Sequence, residues 1–137
     1  MSIHTLLPLV ILGTILASTA CGVTGGIDLA GTAWRLVELN GRAPLATGED
    51  ITLRFETQER VGGNSGCNLY SGAYRITGAT ITFRNLAGTQ RACLDPALNT
   101  QESEFYQALD AVATFELTGS QFLLKDGSGA VRLRFEQ

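Results

Sequence analysis

Cysteine is the residue type in this chain that offers the most chemistry. Cys67 follows a glycine-rich segment, residues 61–66, and Cys93 ends the segment 89–93. Neither belongs to a Cys-x-x-Cys redox pair, and two thiolates supply half of the four ligands of a structural zinc site. Two interpretations remain. One is a disulfide that closes a loop of about 27 residues and contributes roughly 3–4 kcal/mol; the other is a reactive thiol with Arg91 as its basic neighbour.

The position of the single histidine limits the catalytic mechanisms. His4 lies before Cys21, in an apolar leader, so the rest of the chain has no histidine for a Ser-His-Asp or Cys-His arrangement. The segment 62–66 precedes Cys-Asn where a phosphate loop would have Gly-Lys-Ser/Thr, which favours a bulge or tight corner. Paired carboxylates are expected on the solvated surface: Glu49, Asp50, Glu102 and Glu104. We therefore expect no enzyme activity, no metal and no cofactor.

The leader itself predicts export. Residues 6–17 are apolar, a run too short to cross a bilayer but typical of a signal-peptide core. Small residues precede Cys21, which resembles the lipobox of bacterial lipoproteins, where the cysteine carries the lipid. We predict a signal peptide at 1–20, lipidation at Cys21, a flexible tether at 21–29 and one domain at 30–137. Ordinary secretion with Cys21 as a free thiol, or a retained anchor, are the alternatives.

The predicted destination and the charge of the chain limit which kinds of partner are expected. An exported chain meets an oxidising compartment, which favours the disulfide interpretation for Cys67 and Cys93. Lipoproteins retained in the inner membrane carry Asp after the lipidated cysteine; Gly22 stands there, which favours the outer membrane, facing the periplasm. Among 137 residues the formal net charge is -3, and nine of the ten basic residues are Arg interleaved with acids. This pattern lacks the basic stripe of nucleic-acid-binding proteins, so no nucleic acid partner is expected.

Alternation of apolar and polar residues predicts a mostly β domain. Ile51, Leu53 and Phe55 fall on one face of a strand. Trp34 lies in another alternating strand and is expected in the core. The predicted strands span residues 34–39, 51–56, 69–76, 79–83, 115–118, 121–125 and 130–136. Turn pairs such as Asn40-Gly41 separate them.

One helix interrupts the strands. Asn99 is the predicted N-cap, and Glu102 is predicted to close a capping box in the first turn. Four residues form the apolar stripe: Phe105, Ala108, Leu109 and Val112. The expected fold class is α+β, mostly antiparallel β. We expect a curved or cracked barrel of about seven to eight strands with one helix packed on it.

Several short motifs together resemble the META domain, the domain of the HslJ-type heat-inducible lipoproteins. They are Thr32-Ala33-Trp34-Arg35-Leu36, Gly63-x-x-Gly66-Cys67-Asn68-x-Tyr70, Thr89-x-x-Ala92-Cys93 and Glu104-x-x-x-x-Leu109. The resemblance covers residues 27 to 137 and marks five motif residues: Trp34, Gly66, Asn68, Tyr70 and Thr89. It implies a small barrel-like domain outside the cytoplasmic membrane, associated with stress and novobiocin tolerance, and it carries over no catalytic residue.

Together these features lead to three functional hypotheses. The first is a non-enzymatic, lipid-anchored bacterial envelope protein that binds or scaffolds an unknown envelope partner in envelope stress or antibiotic tolerance. The second is a carrier or sequestering protein for a small apolar ligand held between sheet and helix. The third is an inhibitor of an exported hydrolase, acting through the loop at residues 42–50.

Overall fold

Eight antiparallel strands form a ring-like sheet with one helix packed on it. The computed structural model describes residues 26–46 and 48–137, so the predicted signal peptide and Cys21 lie outside the described residues. The elements are β1 (Ala33–Leu39), β2 (Thr52–Phe55), β3 (Arg60–Asn64), β4 (Leu69–Thr77), β5 (Thr80–Gly88), α1 (Pro96–Ala111), β6 (Val112–Thr118), β7 (Gln121–Asp126) and β8 (Val131–Glu136). Within the described residues, no helix is long and apolar enough to cross a membrane.

The ring closes between the first and last strands, and it has one weak seam. β1 pairs with β8 in register Leu36↔Phe135, and the other strands pair with their neighbours in sequence. At the seam, β5 and β6 share the register pair Thr80↔Thr114 in the described part of the chain. The sheet is therefore a ring and not a regular barrel, and the prediction of a curved or cracked barrel with one helix is confirmed.

The cap of the helix lies four residues earlier than the predicted cap. Asp95 is the N-cap, because its Oδ1 accepts a hydrogen bond of 2.9 Å from the Ala97 amide, and Pro96 takes the first helical position. The prediction that Asn99 caps the helix was wrong; Asn99 Oδ1 instead accepts from the Cys93 amide at 3.2 Å. Glu102 therefore lies in the second turn and closes no capping box.

Alternating strand residues fill the interior of the ring. The rings of Phe122 and Trp34 lie 5.2 Å apart, and those of Phe122 and Phe55 lie 5.7 Å apart. The Trp34 indole Nε1 donates to Thr32 Oγ1 at 2.8 Å, which satisfies its one polar atom in the core. Phe105 of the helix is fully buried as well. One continuous core therefore joins the strands and the helix.

The glycine-rich segment 62–66 contains the end of a strand followed by a tight corner, so the prediction of a bulge or corner holds at Gly66 and is corrected at Gly62 and Gly63. Residues 60–64 form β3, where a Cβ on Gly63 would lie 2.2 Å from the Thr52 carbonyl oxygen. A side chain at that position has no room, so the backbones of β2 and β3 approach closely only with glycine there. The turn comes after the strand, at Gly66, whose φ is +101°. The segment lacks alternation because its glycines have no side chains.

The two ends of the ring differ in what they carry. We call tether end the end where residues 26–29 lie beside Gln58 and Gly78, in the β2–β3 and β4–β5 turns. β1 runs from the tether end to the opposite end, which we call the loop end. The loop end carries the β1–β2, β3–β4 and β5–α1 connections. An N-terminal anchor would therefore attach to the tether end.

The β7–β8 turn provides a pH-dependent prediction. Asp126 accepts hydrogen bonds from the Ser128 hydroxyl at 2.6 Å and the Arg132 Nε at 2.7 Å, and these hold the pKa of its carboxyl well below its usual range. A lowered pKa stabilises the fold above the unfolded-state value of about 3.9, and that stabilisation is lost as the pH falls. Asp126→Asn is therefore expected to reduce stability at neutral pH, with the difference shrinking below about pH 4. Urea unfolding across pH measures it.

Asp110→Asn is the matched control for this prediction, because it removes the same charge from an exposed position on α1. Its stability relative to the parent should show no such change with pH. A constant deficit for Asp126→Asn from pH 2 to pH 7 would contradict the proposed role of the carboxylate.

Candidate functional site

The loop end contains a disulfide that joins two connections. Cys67 in the β3–β4 loop bonds to Cys93 in the β5–α1 loop, with Cα atoms 5.8 Å apart and a sequence separation of 26. The disulfide interpretation of this pair is therefore supported over the reactive thiol. A disulfide is typical of exported proteins and agrees with the predicted export. The lipid anchor at Cys21 lies outside the described residues.

Asn68 is the centre of a polar network beside the disulfide. Its Oδ1 accepts from the Thr89 hydroxyl and from the Arg91 amide, both at 2.9 Å. Its Nδ2 donates to the Arg91 carbonyl oxygen and to both carboxylate oxygens of Glu102, each at 3.0 Å. The side chain is buried at 3% exposure, and its donors and acceptors are all engaged. One amide therefore fixes the β3–β4 loop, the β5–α1 loop and the helix relative to each other.

The Glu102 carboxylate belongs to this network and not to a solvated surface, which corrects the prediction for that residue. The buried hydroxyl of Ser65 lies within hydrogen-bond distance of the Glu102 carboxylate and, at 2.9 Å, of the Asn68 carbonyl oxygen. Because α1 begins at Pro96, Glu102 projects from the second turn toward the loops. Glu104 stays exposed enough to pair with Arg42 at 2.8 Å, an ion pair that contributes little.

The five predicted motif residues divide between the loop end and the core. Gly66, Asn68 and Thr89 lie together around the disulfide. Tyr70 instead packs its ring against Phe105 in the core, with centroids 5.5 Å apart; burial raises the pKa of its phenol. Trp34 lies elsewhere in the core, as described above.

Three further residues of this region were missed as site residues from sequence. Ser65 and Glu102 join the Asn68 network, and Gln101 Oε1 accepts a hydrogen bond of 2.7 Å from the Leu45 amide, which holds the β1–β2 loop against α1. Their common signal is burial of polar side chains, which sequence alone does not report. Each of the three loops at this end is therefore tied to the helix or to another loop.

The network is suited to positioning loops. Its polar atoms bond to one another, and Ser65 and Asn68 are buried. Among residues 26–46 and 48–137, no group of three or more His, Cys, Asp and Glu side chains is placed to hold a metal ion. The grooves nearby are open: one of about 400 Å³ is lined by Cys67, Cys93, Leu94 and Leu98 among others. What this end presents outward is therefore a set of rigidly held loops.

Comparison with known proteins identifies the family. The family model of the META domain matches residues 27–137. This chain belongs to the META domain family. Among curated proteins, no significant relative is found. Two solved NMR structures share the META fold seen here. One, of a protein from Burkholderia xenovorans, is 30% identical, with a TM-score of 0.63, and the alignment covers 79% of this chain and 82% of that one.

The second solved structure agrees with the first in fold. It is an NMR structure with 23% identity and a TM-score of 0.61, and the alignment covers 76% of this chain and 86% of that one. At this level of identity the likeness concerns the fold alone. The two matches show that this META domain shares its architecture, a ring of strands with one helix, with proteins of experimentally determined structure.

The Asn68 amide allows a sharp test of the network in this META domain. Asn68→Asp keeps the shape, removes the Nδ2 donors and places a second carboxylate against Glu102, so we expect a loss of about 2–3 kcal/mol in the free energy of unfolding at pH 7. A proton shared by the two carboxyls restores a donor, so the deficit should shrink as the pH falls below about 5. Denaturant unfolding at several pH values measures the deficit.

Asn68→Ala provides the control, because it also removes the Nδ2 bonds to Glu102 but adds no charge; unlike Asn68→Asp, it removes the bonds that Oδ1 accepts as well. Its deficit should be about 2 kcal/mol and nearly independent of pH between 4 and 7. Equal pH profiles for the alanine and aspartate variants would count against contact between residue 68 and Glu102.

Proposed function

We propose that this META domain protein is a non-enzymatic binding module of the bacterial cell envelope. A lipid on Cys21 holds it in the outer membrane, facing the periplasm, and its loop end binds an envelope protein during envelope stress or antibiotic exposure. The META family membership, the predicted leader and the disulfide support this proposal. The proposed link to heat and novobiocin comes from the resemblance of the sequence motifs to those of HslJ-type lipoproteins.

The observation that carries the proposal is the opposition of the two ends of the ring. Residues 26–29, which continue from the predicted anchor, lie at the tether end beside Gln58 and Gly78. The loops fixed by the disulfide and by Asn68 lie at the other end. An anchored domain would therefore present, away from the membrane, the loops that the disulfide and Asn68 hold. Rigid loops lose little conformational entropy on binding, which favours affinity for a partner.

The carrier hypothesis has weaker support in the packing. A carrier needs an apolar cavity between helix and sheet. Phe105 and Leu109 of α1 are fully buried against the core at that interface. The groove of about 600 Å³ between α1 and β5, lined by Phe83, Leu86 and Tyr106 among others, is open to solvent. We therefore favour binding of a protein by the loops over enclosure of a small ligand.

Site-specific photo-crosslinking in intact cells tests the proposed binding end. A photoreactive amino acid at Gln90, exposed at the loop end, is expected to give a discrete crosslinked product, and the product should increase under envelope stress. The same amino acid at Ser120, exposed in the β6–β7 turn at the tether end, is the matched control and should give none. Products from Ser120 alone, or from neither position, would refute the proposal.

The anchor has its own test. Wild-type protein in cells fed labelled palmitate is expected to carry the label and to fractionate with the outer membrane. Cys21→Ala should carry no label and should leave the membrane fraction. Unlabelled wild-type protein recovered from the periplasm would show secretion without lipid and would remove the anchored form of the proposal.

A further inference from the structure

We propose that residues 89–94 form a binding loop that occupies the substrate cleft of an exported endopeptidase, with Leu94 in its apolar specificity pocket. The META domain would then act as a reversible protease inhibitor of the envelope. This inference rests on the proposed function and names the loop and the class of partner. It also moves the inhibitory segment from the predicted loop at residues 42–50 to the β5–α1 connection.

The first observation is the alternation of backbone contacts along the loop. The Thr89 amide donates to the Leu69 carbonyl oxygen at 2.9 Å, the Arg91 amide to Asn68 Oδ1 at 2.9 Å, and the Cys93 amide to Asn99 Oδ1 at 3.2 Å. The backbone groups of Gln90 and Ala92 have no hydrogen bond within the described residues. Bonding at every second residue is the pattern of an edge strand, so this loop presents one free edge to solvent. Such an edge pairs with an extended strand of another protein.

The second observation is that hydrogen bonds at Arg91 and a disulfide at Cys93 fix the loop to the rest of the domain. The side chain of Asn68 accepts a hydrogen bond from the backbone N–H of Arg91 and donates one to the Arg91 carbonyl oxygen. The Arg91 Nη2 also donates to the Cys67 carbonyl oxygen at 2.5 Å. The disulfide then fixes Cys93. A loop held in this way needs little ordering when it enters a cleft, and pre-ordering of this kind favours tight binding.

The third observation concerns the side chain of Leu94. Leu94 is fully exposed, whereas Cys93 before it is partly buried, and Asp95 after it caps α1. Isolated exposed leucines are common on protein surfaces and need no explanation by themselves. Here the exposed leucine follows the disulfide-bonded Cys93, on a loop that has a free backbone edge. An apolar pocket adjoining a substrate-binding strand is the surface that matches both features.

The flanking structure also explains why such a loop would inhibit and not simply be digested. Hydrolysis of the Leu94–Asp95 peptide bond would leave Cys93 bonded to Cys67, and Asp95 attached to the helix. Neither new end could diffuse away from the cleft. The cut chain would therefore stay bound, and the bond could re-form with loss of water.

Inhibition assays with defined proteases test the inference. The full chain, purified in detergent, is titrated against chymotrypsin and subtilisin, whose specificity pockets are apolar, and against trypsin, whose pocket is acidic. We expect stoichiometric inhibition of at least one of the first two proteases and none of trypsin. Leu94→Lys should weaken that inhibition by about 30-fold or more and should create inhibition of trypsin.

Matched variants keep this test decisive. Leu94 is fully exposed, so Leu94→Lys should unfold at the same temperature as the parent, which excludes misfolding as the cause of any loss. Leu117→Lys makes the same change at an exposed leucine in β6, away from the loop end, and should inhibit like the parent. No inhibition of either apolar-pocket protease, inhibition that Leu94→Lys leaves unchanged, or rapid cleavage with release of the protease would each overturn the inference.

The outcome can be told apart from failure of the proposed function. Photo-crosslinking at Gln90 reports any protein bound at the loop end, whereas these assays report proteases alone. A crosslinked partner together with no protease inhibition would retain the binding module and remove the inhibitor.

Discussion

Replacing both Cys67 and Cys93 with serine is expected to lower the free energy of unfolding by about 3–4 kcal/mol. The bridge joins residues with a sequence separation of 26, and the chain-entropy model gives this cost for restoring the freedom of the unfolded chain. The loss is a large share of the roughly 5–15 kcal/mol that stabilises a small domain. Chemical unfolding followed by circular dichroism measures it, and thiol titration of the unfolded wild type should find Cys67 and Cys93 unreactive.

Reductant provides the control for this prediction. Wild-type protein unfolded and refolded with excess dithiothreitol should match the double serine variant, and the double variant itself should not respond to reductant. If reduced and oxidised wild type unfold at the same denaturant concentration, the bridge contributes no stability and the expected cost is wrong.

Truncating Phe122 is expected to have a comparable or larger effect. The side chain is fully buried in β7, and its ring contacts those of Trp34, Phe55, Phe115 and Phe135 at centroid distances of 5.2–6.3 Å. Phe122→Ala removes these contacts and leaves a cavity, so the free energy of unfolding should fall by about 3–5 kcal/mol. Urea unfolding of the purified variant gives the value, provided that the slope of the transition is unchanged.

Phe122→Leu is the matched control, because it keeps an apolar side chain at the same buried position. It should cost clearly less than Phe122→Ala, because it leaves a smaller cavity. A cost for Phe122→Ala below about 1 kcal/mol would mean that residue 122 does not lie in the centre of the core.

The strands were predictable from sequence where side chains alternate. Residues 51–56 and 121–125 correspond to β2 and β7 because one face is apolar and buried while the other meets solvent. β3 escaped prediction since Gly62 and Gly63 have no side chains to alternate; the close approach to Thr52 that requires glycine is a property of the folded pair of strands. The start of the helix was misplaced because two local signals conflict: Pro96 favours Asp95 as the cap, whereas Glu102 favours Asn99 through a capping box.

The candidate site was also predictable from sequence only in part. The motif residues Gly66, Asn68 and Thr89 could be named from sequence, yet Glu102 was assigned to the surface and Ser65 was not singled out. Their roles depend on contacts between loops far apart in the chain, such as that between Asn68 and Glu102, 34 positions later. Whether a polar side chain is buried depends on the distant segments that pack over it, and no local sequence pattern identifies those segments.

The sequence by itself determined the mostly β architecture with one helix, the apolar leader that points to export, and the two thiols available for a bridge. These follow from local periodicity, composition and residue chemistry, which are properties of short segments. The tertiary structure alone decided that the ring closes through β1 and β8, that residues 26–29 and the disulfide-bonded loops lie at opposite ends of it, and that Leu94 is exposed beside the disulfide. Those features arise from long-range pairing and packing, whose free energy exists only when distant segments meet.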